Sequence, residues 1–336
     1  MSNKRIAIVG ATGMVGRAFM KVLEEYGMTD YDYTLMASSR SAGQTVSFLG
    51  KEYLVEELTE QSFDSRYDIA LFSAGGGTSA KYAPIAAKKG AVVIDNSSQW
   101  RMEKDVPLVV PEVNAEDIKW NRGIIANPNC STIQAVVALS PIHKKYGIKR
   151  IIYSTYQSVS GAGLAGWDDL DSGIHSYVDG SLFTPKKFPH SIFNNCIPHI
   201  DVFLDDGYTK EEQKMIDETR KILHDDTIAI TATTVRVPVF SAHSESINIE
   251  LNSQFELDDI KKMLAESPGI ILADDPKNNI YPLASDAADH DDVFVGRIRR
   301  DYSIENGLNL WVVSDNIRKG AASNAVQIAQ LILENN

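Results

Sequence analysis

The chain has 336 residues, with 33 Lys plus Arg against 45 Asp plus Glu, a net charge of −12 at pH 7; 43% are hydrophobic and 23% charged. That is the composition of an ordinary soluble globular protein, long enough for two domains with a core each. The acidic balance and the lack of any Lys/Arg-rich run count against nucleic acid or an anionic membrane as the main partner, though a local site can still gather cations for an anionic small molecule.

No apolar stretch approaches the roughly 20 residues that span a bilayer. Lys4-Arg5 before Ile6–Val9 is superficially like a signal peptide, but the run stops at Gly10, too short for one. Cys130 and Cys196 are the only cysteines. They cannot build a disulfide framework and fit a reducing, cytoplasmic compartment. The seven histidines show no metal-ligand spacing, so no metal is expected.

In chain order, Ile6–Val9 is a short apolar run ending at a glycine turn, and Val15–Tyr26 has helical spacing. Tyr33–Ala37, Ile69–Ser73, Val92–Ile94 and Ile124–Ala126 are further brief apolar runs. Strands separated by helical stretches predict βαβ units and a doubly wound parallel sheet, an α/β domain. An apolar helix follows from Ile133 and ends near Pro141.

Beyond Cys130 the strands are longer and alternate: Ile151–Ser158, Ile228–Val239, Ser246–Leu251, Val293–Arg299 and Leu308–Val313. They predict an α+β domain with a largely antiparallel sheet. Lys210–His224 reads as a surface helix and Ala321–Leu333 as an amphipathic helix. The expected division is 1–129, completed by 316–336, and 130–315.

Gly10-Ala11-Thr12-Gly13-Met14-Val15-Gly16 joins the first strand to the first helix. Glycines there let a pyrophosphate approach the helix N-terminus; the alternative is a tight turn with no ligand. The second strand ends in Ser38-Ser39-Arg40-Ser41, hydroxyls and an arginine without a carboxylate. A guanidinium fork matches a 2′-phosphate, which favours NADP; otherwise Arg40 is a solvated loop charge.

Asn127-Pro128-Asn129-Cys130-Ser131-Thr132 is a plausible helix start. A thiol there meets unpaired N–H groups and the positive dipole end, which favour the nucleophilic thiolate; the plain alternative is a small buried hydrophobe. Cys196 has no such context.

Five blocks together carry a resemblance. They are Gly10–Gly16, Asn127–Thr132, Tyr156–Gly163, Thr234–Val239 with Ala242-His243-Ser244, and Ser314–Ala322. In this order, over nearly the whole chain, they resemble the aspartate-β-semialdehyde dehydrogenase family.

The resemblance implies NADPH-dependent reductive dephosphorylation of L-aspartyl-4-phosphate to the semialdehyde, with release of inorganic phosphate. The reaction would serve lysine, diaminopimelate, threonine and methionine biosynthesis. By that resemblance Cys130 is the nucleophile, His243 an acid/base with an imidazole near neutrality, and Gln157 orients the acyl group. Arg236 pairs with the α-carboxylate and Glu211 with the amine, while Arg101 and Lys214 hold phosphate. Gly10, Thr12, Gly13, Met14, Val15, Ser38, Ser39, Arg40 and Ser41 contact NADP, with Ser160, Gly161 and Asn316 near its nicotinamide end. A homodimer or homotetramer through the second sheet is also implied.

Arg236 and His243 are seven residues apart, which on one straight strand puts them on opposite faces. A bend is needed, and Phe240-Ser241-Ala242 is the place for it. Trp167–Asp171 and the lysine pair before Phe188 match nothing in the resemblance and read as subunit-contact or cover loops. Two rivals remain. N-acetyl-γ-glutamyl-phosphate reductase carries Gly-Cys-Tyr-Pro where this chain has Asn129-Cys130-Ser131-Thr132. A non-catalytic NADP-binding paralogue would have no reason to keep Cys130, Gln157, Arg236 and His243 together.

Overall fold

A computed structural model describes residues 4–334. The chain divides into two compact units, Met1–Asn129 with Ala321–Asn336, and Cys130–Gly320. Residues 316–320 thus group with the second unit rather than with the final helix.

The first unit alternates strand and helix. Its strands are β1 (Arg5–Val9), β2 (Asp32–Ala37), the hairpin β3 (Thr45–Phe48) and β4 (Lys51–Leu54), β5 (Glu56–Glu57), β6 (Ile69–Phe72), β7 (Val92–Asp95) and β8 (Ile124–Ala126). The main sheet has the order β5-β2-β1-β6-β7-β8, with every pairing parallel. The helices are α1 (Met14–Glu25), α2 (Gly76–Lys88) and α3 (Pro111–Asn114), with a last helix at Ser323–Glu334.

Alternation along β1 builds both layers at once. Ile6 and Ile8 pack with Phe19 and Leu23 of α1 and with Val326 and Ala329 of the last helix. Ala7 and Val9 face the other way, onto Ala83 and Ala86 of α2. A sheet buried on both faces needs such continuous apolar strands, which is why these runs are short and uninterrupted.

In the second unit, helix α4 (Cys130–Tyr146) begins at the cysteine. It passes through Pro141 rather than ending near it: proline removes one backbone donor, and burial of Ser131–Leu139 and Ile142 outweighs that loss. The sheet contains β9 (Ile148–Gln157), β10 (Ala229–Arg236), β11 (His243–Leu251), β12 (Ile270–Leu272), β13 (Val293–Asp301) and β14 (Gly307–Ser314), in the order β10-β9-β11-β14-β13-β12. The three inner pairings are antiparallel and the two edge pairings, β9 with β10 and β12 with β13, are parallel. β10 stops at Arg236, short of Val239, because Pro238 has no N–H for a ladder.

Helices α5 (Leu164–Asp179), α6 (Lys210–Leu223), α7 (Leu257–Glu266) and the short α8 (Ala284–Ala287) also belong to this unit. The unassigned acidic stretch lies on α5. There the buried Asp169 carboxylate accepts the backbone N–H groups of Lys186 (3.0 Å), Lys187 (2.8 Å) and Phe188 (3.0 Å). One carboxylate thereby ties the lysine-pair loop to the helix. Before the final helix, Arg318–Ala322 forms a π-helical turn.

Candidate functional site

In the first unit, a cleft of about 550 Å³ lies at the carboxyl ends of the parallel strands. The chain order reverses there, between β1 and β6, which is where open α/β sheets take ligands. Gly10, Thr12, Gly13, Ser38, Ser39, Arg40 and Ser41 all line it; Met14 and Val15 begin α1 and do not. Gly10 sits at φ +88, where a Cβ would lie 2.2 Å from Ser73 O, and a Cβ on Gly16 would lie 2.1 Å from Gly10 O. The glycines therefore allow the turn and the helix to close up beside the cleft.

Arg101, also in this unit, is buried. Its Nε donates to Asn127 O (2.9 Å) and its Nη2 to Asn96 O (3.0 Å), so backbone carbonyls fix its fork.

In the second unit the candidate residues gather at one end of three adjacent strands. Arg236 ends β10 opposite Gln157, which ends β9. One rung beyond the Ser244–Tyr156 pair, His243 opens β11 on the other side of Gln157. The required bend is present: Ala242 sits at φ +67, a left-handed conformation costly for a non-glycine residue. It brings Arg236 and His243 to one face. A Cβ on Gly161 would lie 2.8 Å from Arg236 Nη1 and 3.2 Å from His243 Nε2, so only glycine fits above both.

Arg236 Nη1 donates to Ser158 O (2.6 Å), and its guanidinium lies 5.9 Å from the centre of the Phe188 ring. The loop tied by Asp169 thus reaches the site. Gln157 Nε2 donates to Glu211 Oε1 (3.3 Å), while Lys214 Nζ donates to Glu211 Oε2 (3.2 Å) and Asp201 Oδ2 (2.7 Å). Glu211 is buried, so this is not the solvent-exposed pair its helix suggests. At the other side of the row, Asn316 Oδ1 accepts from Ser158 Oγ (3.0 Å), Ser160 Oγ (3.1 Å) and Ala242 N–H (3.1 Å).

Electrostatics follow from burial. Desolvation first, and then the charge of Arg236, push the His243 imidazole well below its ordinary value, so the resting ring is neutral rather than titrating near neutrality. Arg236 is itself lowered by desolvation, opposed by the negative charges of Glu211 and a Cys130 thiolate. Cys130 is half-buried. The backbone of Gly320 is pressed against it, with a Cβ there only 2.7 Å from Cys130 Cβ. Among the described residues, no group of three His, Cys, Asp or Glu side chains is placed to hold a metal, and no helix is long and apolar enough to cross a membrane.

Comparison with known proteins agrees over the full length. Residues 5–121 match the family model for the semialdehyde dehydrogenase NAD binding domain, and residues 139–319 that for the semialdehyde dehydrogenase dimerisation domain. The aspartate-semialdehyde dehydrogenase of Aquifex aeolicus is 56% identical over 333 residues, covering 98% of each chain. The chain belongs to the aspartate-semialdehyde dehydrogenase family. The Bacillus subtilis member is 50% identical, over 97% of this chain and 96% of its own. The crystal structure of aspartate semialdehyde dehydrogenase II of Vibrio cholerae, complexed with ASA, superposes with a TM-score of 0.95 at 49% identity over 99% of both chains. That of Candida albicans with NADP gives 0.77 at 26%, again over 99% of both.

Several residues of this family member escaped sequence reasoning. Glu57 lines the dinucleotide cleft, paired in register with Ala37, so a carboxylate does sit beside the end of β2, supplied by another strand. Ser73, Ala74, Thr78 and Tyr82 line it too. Asp201 is the second partner of Lys214, thirteen residues away and off its helix. Glu245, fully buried on β11, carried a signal: it lies two residues after His243, on the same strand face.

Proposed function

We propose that the protein reduces L-aspartyl-4-phosphate to L-aspartate-4-semialdehyde with release of inorganic phosphate, using NADPH and a Cys130 thioester. The observation that carries this is the row Arg236–Gln157–His243, in which a cation, an amide and an imidazole stand on adjacent strands, with the cation and the imidazole beneath Gly161.

The residues fit the dinucleotide. The cradle around Gly10, which a Cβ would fill, suits a pyrophosphate, and Ser38, Ser39, Arg40 and Ser41 suit a 2′-phosphate. Asn316 Nδ2, buried without a protein partner, is free to donate to a carboxamide oxygen at the nicotinamide end. When bound, NADPH supplies the hydride.

Cys130, at the start of α4, attacks the acyl phosphate and phosphate leaves. The resulting thioester carbonyl is more electrophilic than a carboxylate. Gln157 holds the acyl group by neutral hydrogen bonds. Arg236 binds the α-carboxylate through its fork, and Glu211 the amine. Lys214, bridged at rest between Glu211 and Asp201, exchanges a carboxylate partner for phosphate, and Arg101 supplies a second cation. His243 takes the Cys130 thiol proton as the sulfur attacks, gives it to the oxygen that becomes the hydroxyl of the thiohemiacetal, takes it back as the aldehyde forms and returns it to the sulfur.

The half-open face of the second sheet, with Tyr156 and Trp311 in contact at 5.5 Å, suits a homodimer, with a homotetramer as its further assembly. The test is phosphate-dependent NADP reduction by aspartate semialdehyde, with N-acetylglutamate semialdehyde as control. A Cys130→Ala variant should bind NADPH without turnover. Turnover of the acetylated substrate alone would favour the related reductase, and binding without any turnover the non-catalytic paralogue.

A further inference from the structure

Two ties hold residues 186–197 across the end of β10. At one end the Asp169 carboxylate, on a residue only 3% exposed, accepts the N–H groups of Lys186, Lys187 and Phe188. At the other, Ile197 N–H donates to Arg236 O (2.9 Å) and Arg236 N–H to Ile197 O (2.8 Å). Between the ties, Ile192 is buried with Ile197, Val159 and Leu170, and Phe188 packs on that cluster. The segment is fixed structure beside Arg236.

The Phe188 ring has little room to move. A Cβ on Gly166 of α5 would lie 3.1 Å from Phe188 Cζ, 2.8 Å from Ala162 Cβ and 2.5 Å from Val159 O, so α5 and the turn Val159–Ala162 close on the ring tip. The ring also meets Arg236, whose guanidinium carbon lies 5.9 Å over its centre. The same turn carries Gly161, where a Cβ would lie 2.8 Å from Arg236 Nη1, and Ser158 O holds that nitrogen at 2.6 Å. Among the described residues this is the one hydrogen bond of the Arg236 side chain, which leaves Nε and Nη2 for a carboxylate.

We propose that Phe188 is a positioning residue for Arg236: its ring sets the plane of the guanidinium and keeps water from one side of it, and Asp169 sets the ring. A carboxylate that pairs with Arg236 then does so beside an apolar wall, where the attraction is stronger than in water. The inference rests on the α-carboxylate role given above to Arg236. That carboxylate stands away from the reacting carbon and keeps its charge throughout the reaction. Phe188 therefore acts on binding, and its loss is read in KM.

The experiment measures KM and kcat for aspartate semialdehyde in Phe188→Ala, Phe188→Leu, Asp169→Asn and the double variant combining Asp169→Asn with Phe188→Ala. It also follows phenylglyoxal modification of Arg236 by peptide mass spectrometry. In Phe188→Ala, KM should rise about tenfold with kcat held within about twofold, and Arg236 should be modified several-fold faster. Leucine keeps the apolar bulk and should bring KM back to within about threefold of the parent. Asp169→Asn sets an amide NH2 against backbone donors and should raise KM in the same direction. Since Asp169 acts through the ring, the double variant should be no worse than Phe188→Ala alone. A parent-like KM in Phe188→Ala, a loss carried by kcat, or additive effects in the double variant overturns the proposal. The modification rate needs no turnover: left unchanged in Phe188→Ala, it overturns this inference whether or not the reaction assignment stands.

Discussion

Arg236 and Gln157 are register partners at the last rung between β10 and β9, and each is tied to a different neighbour: Arg236 to Ser158 O and Gln157 to Glu211. The fork of Arg236 is thus already oriented by the backbone. Lysine would keep the charge without the planar fork. Arg236→Lys should lower kcat/KM on the order of 10²-fold with aspartate semialdehyde. A change below about twofold would remove Arg236 from the substrate site.

Gly320 offers a test of the nucleophile that leaves the sulfur in place. A Cβ there would meet Cys130 Cβ at 2.7 Å and Cys130 Cα at 3.2 Å, so Gly320→Ala must displace the start of α4. Expected are a fall in kcat of about tenfold or more and an altered rate of Cys130 alkylation, with the NADP affinity of the first unit held within about twofold. Unchanged kcat would show that Cys130 need not stand where this backbone puts it.

Cofactor choice divides between Arg40 and Glu57, which line the same cleft with opposite charges. Arg40→Ala should raise KM for NADPH about tenfold and leave KM for NADH within about twofold, since the 2′-phosphate alone uses the guanidinium. Glu57→Ala should favour NADPH further by removing a like charge. Equal effects of Arg40→Ala on the two cofactors would place Arg40 in the solvent.

Glu245 makes a prediction about stability. Burial raises its carboxyl well above the ordinary 4.5, although the facing Gln134 amide favours the charged form. Between that ordinary value and the higher folded one, the native state holds a proton that the unfolded chain releases. The stabilisation is complete below about 4.5 and is lost as pH rises through the folded value. His243 works oppositely: its lowered value stabilises above the ordinary 6.5 and is lost as pH falls toward the folded value. Glu245→Gln keeps the shape of the neutral acid, so its Tm should gain on the parent as pH rises above the ordinary 4.5 toward the folded value. Parallel Tm curves would mean that Glu245 does not titrate with unfolding.

The parallel sheet was legible because β1, β6 and β7 are apolar runs closed by turn residues; the helix start at Cys130 was legible from Pro128, but its context left a nucleophile and a small buried hydrophobe both open, and only the family resemblance chose between them. The bend at Ala242 was legible only as a necessity, from the separation of Arg236 and His243. Its stabilising contact, Asn316 Oδ1, comes 74 residues later. Glu57 and Asp201 were illegible for the same reason: each reaches its site from a different element, and local pattern does not encode register between distant segments. The lysine-pair loop read as a subunit-contact or cover loop because a buried Asp169 looks like any acidic residue until its three backbone donors are seen.

Helix α6 carries in its first turn two glutamates that look like duplicates. Glu212 closes a capping box with Thr209 and accepts the N–H of Thr234, while Glu211 turns to Gln157 and Lys214. One helical step of about 100° separates their duties: Glu211 presents its charge to Gln157 and Lys214, and Glu212 staples its own helix to the neighbouring strand. Chemical identity therefore confers no redundancy here. Neither side chain can stand in for the other when one is lost.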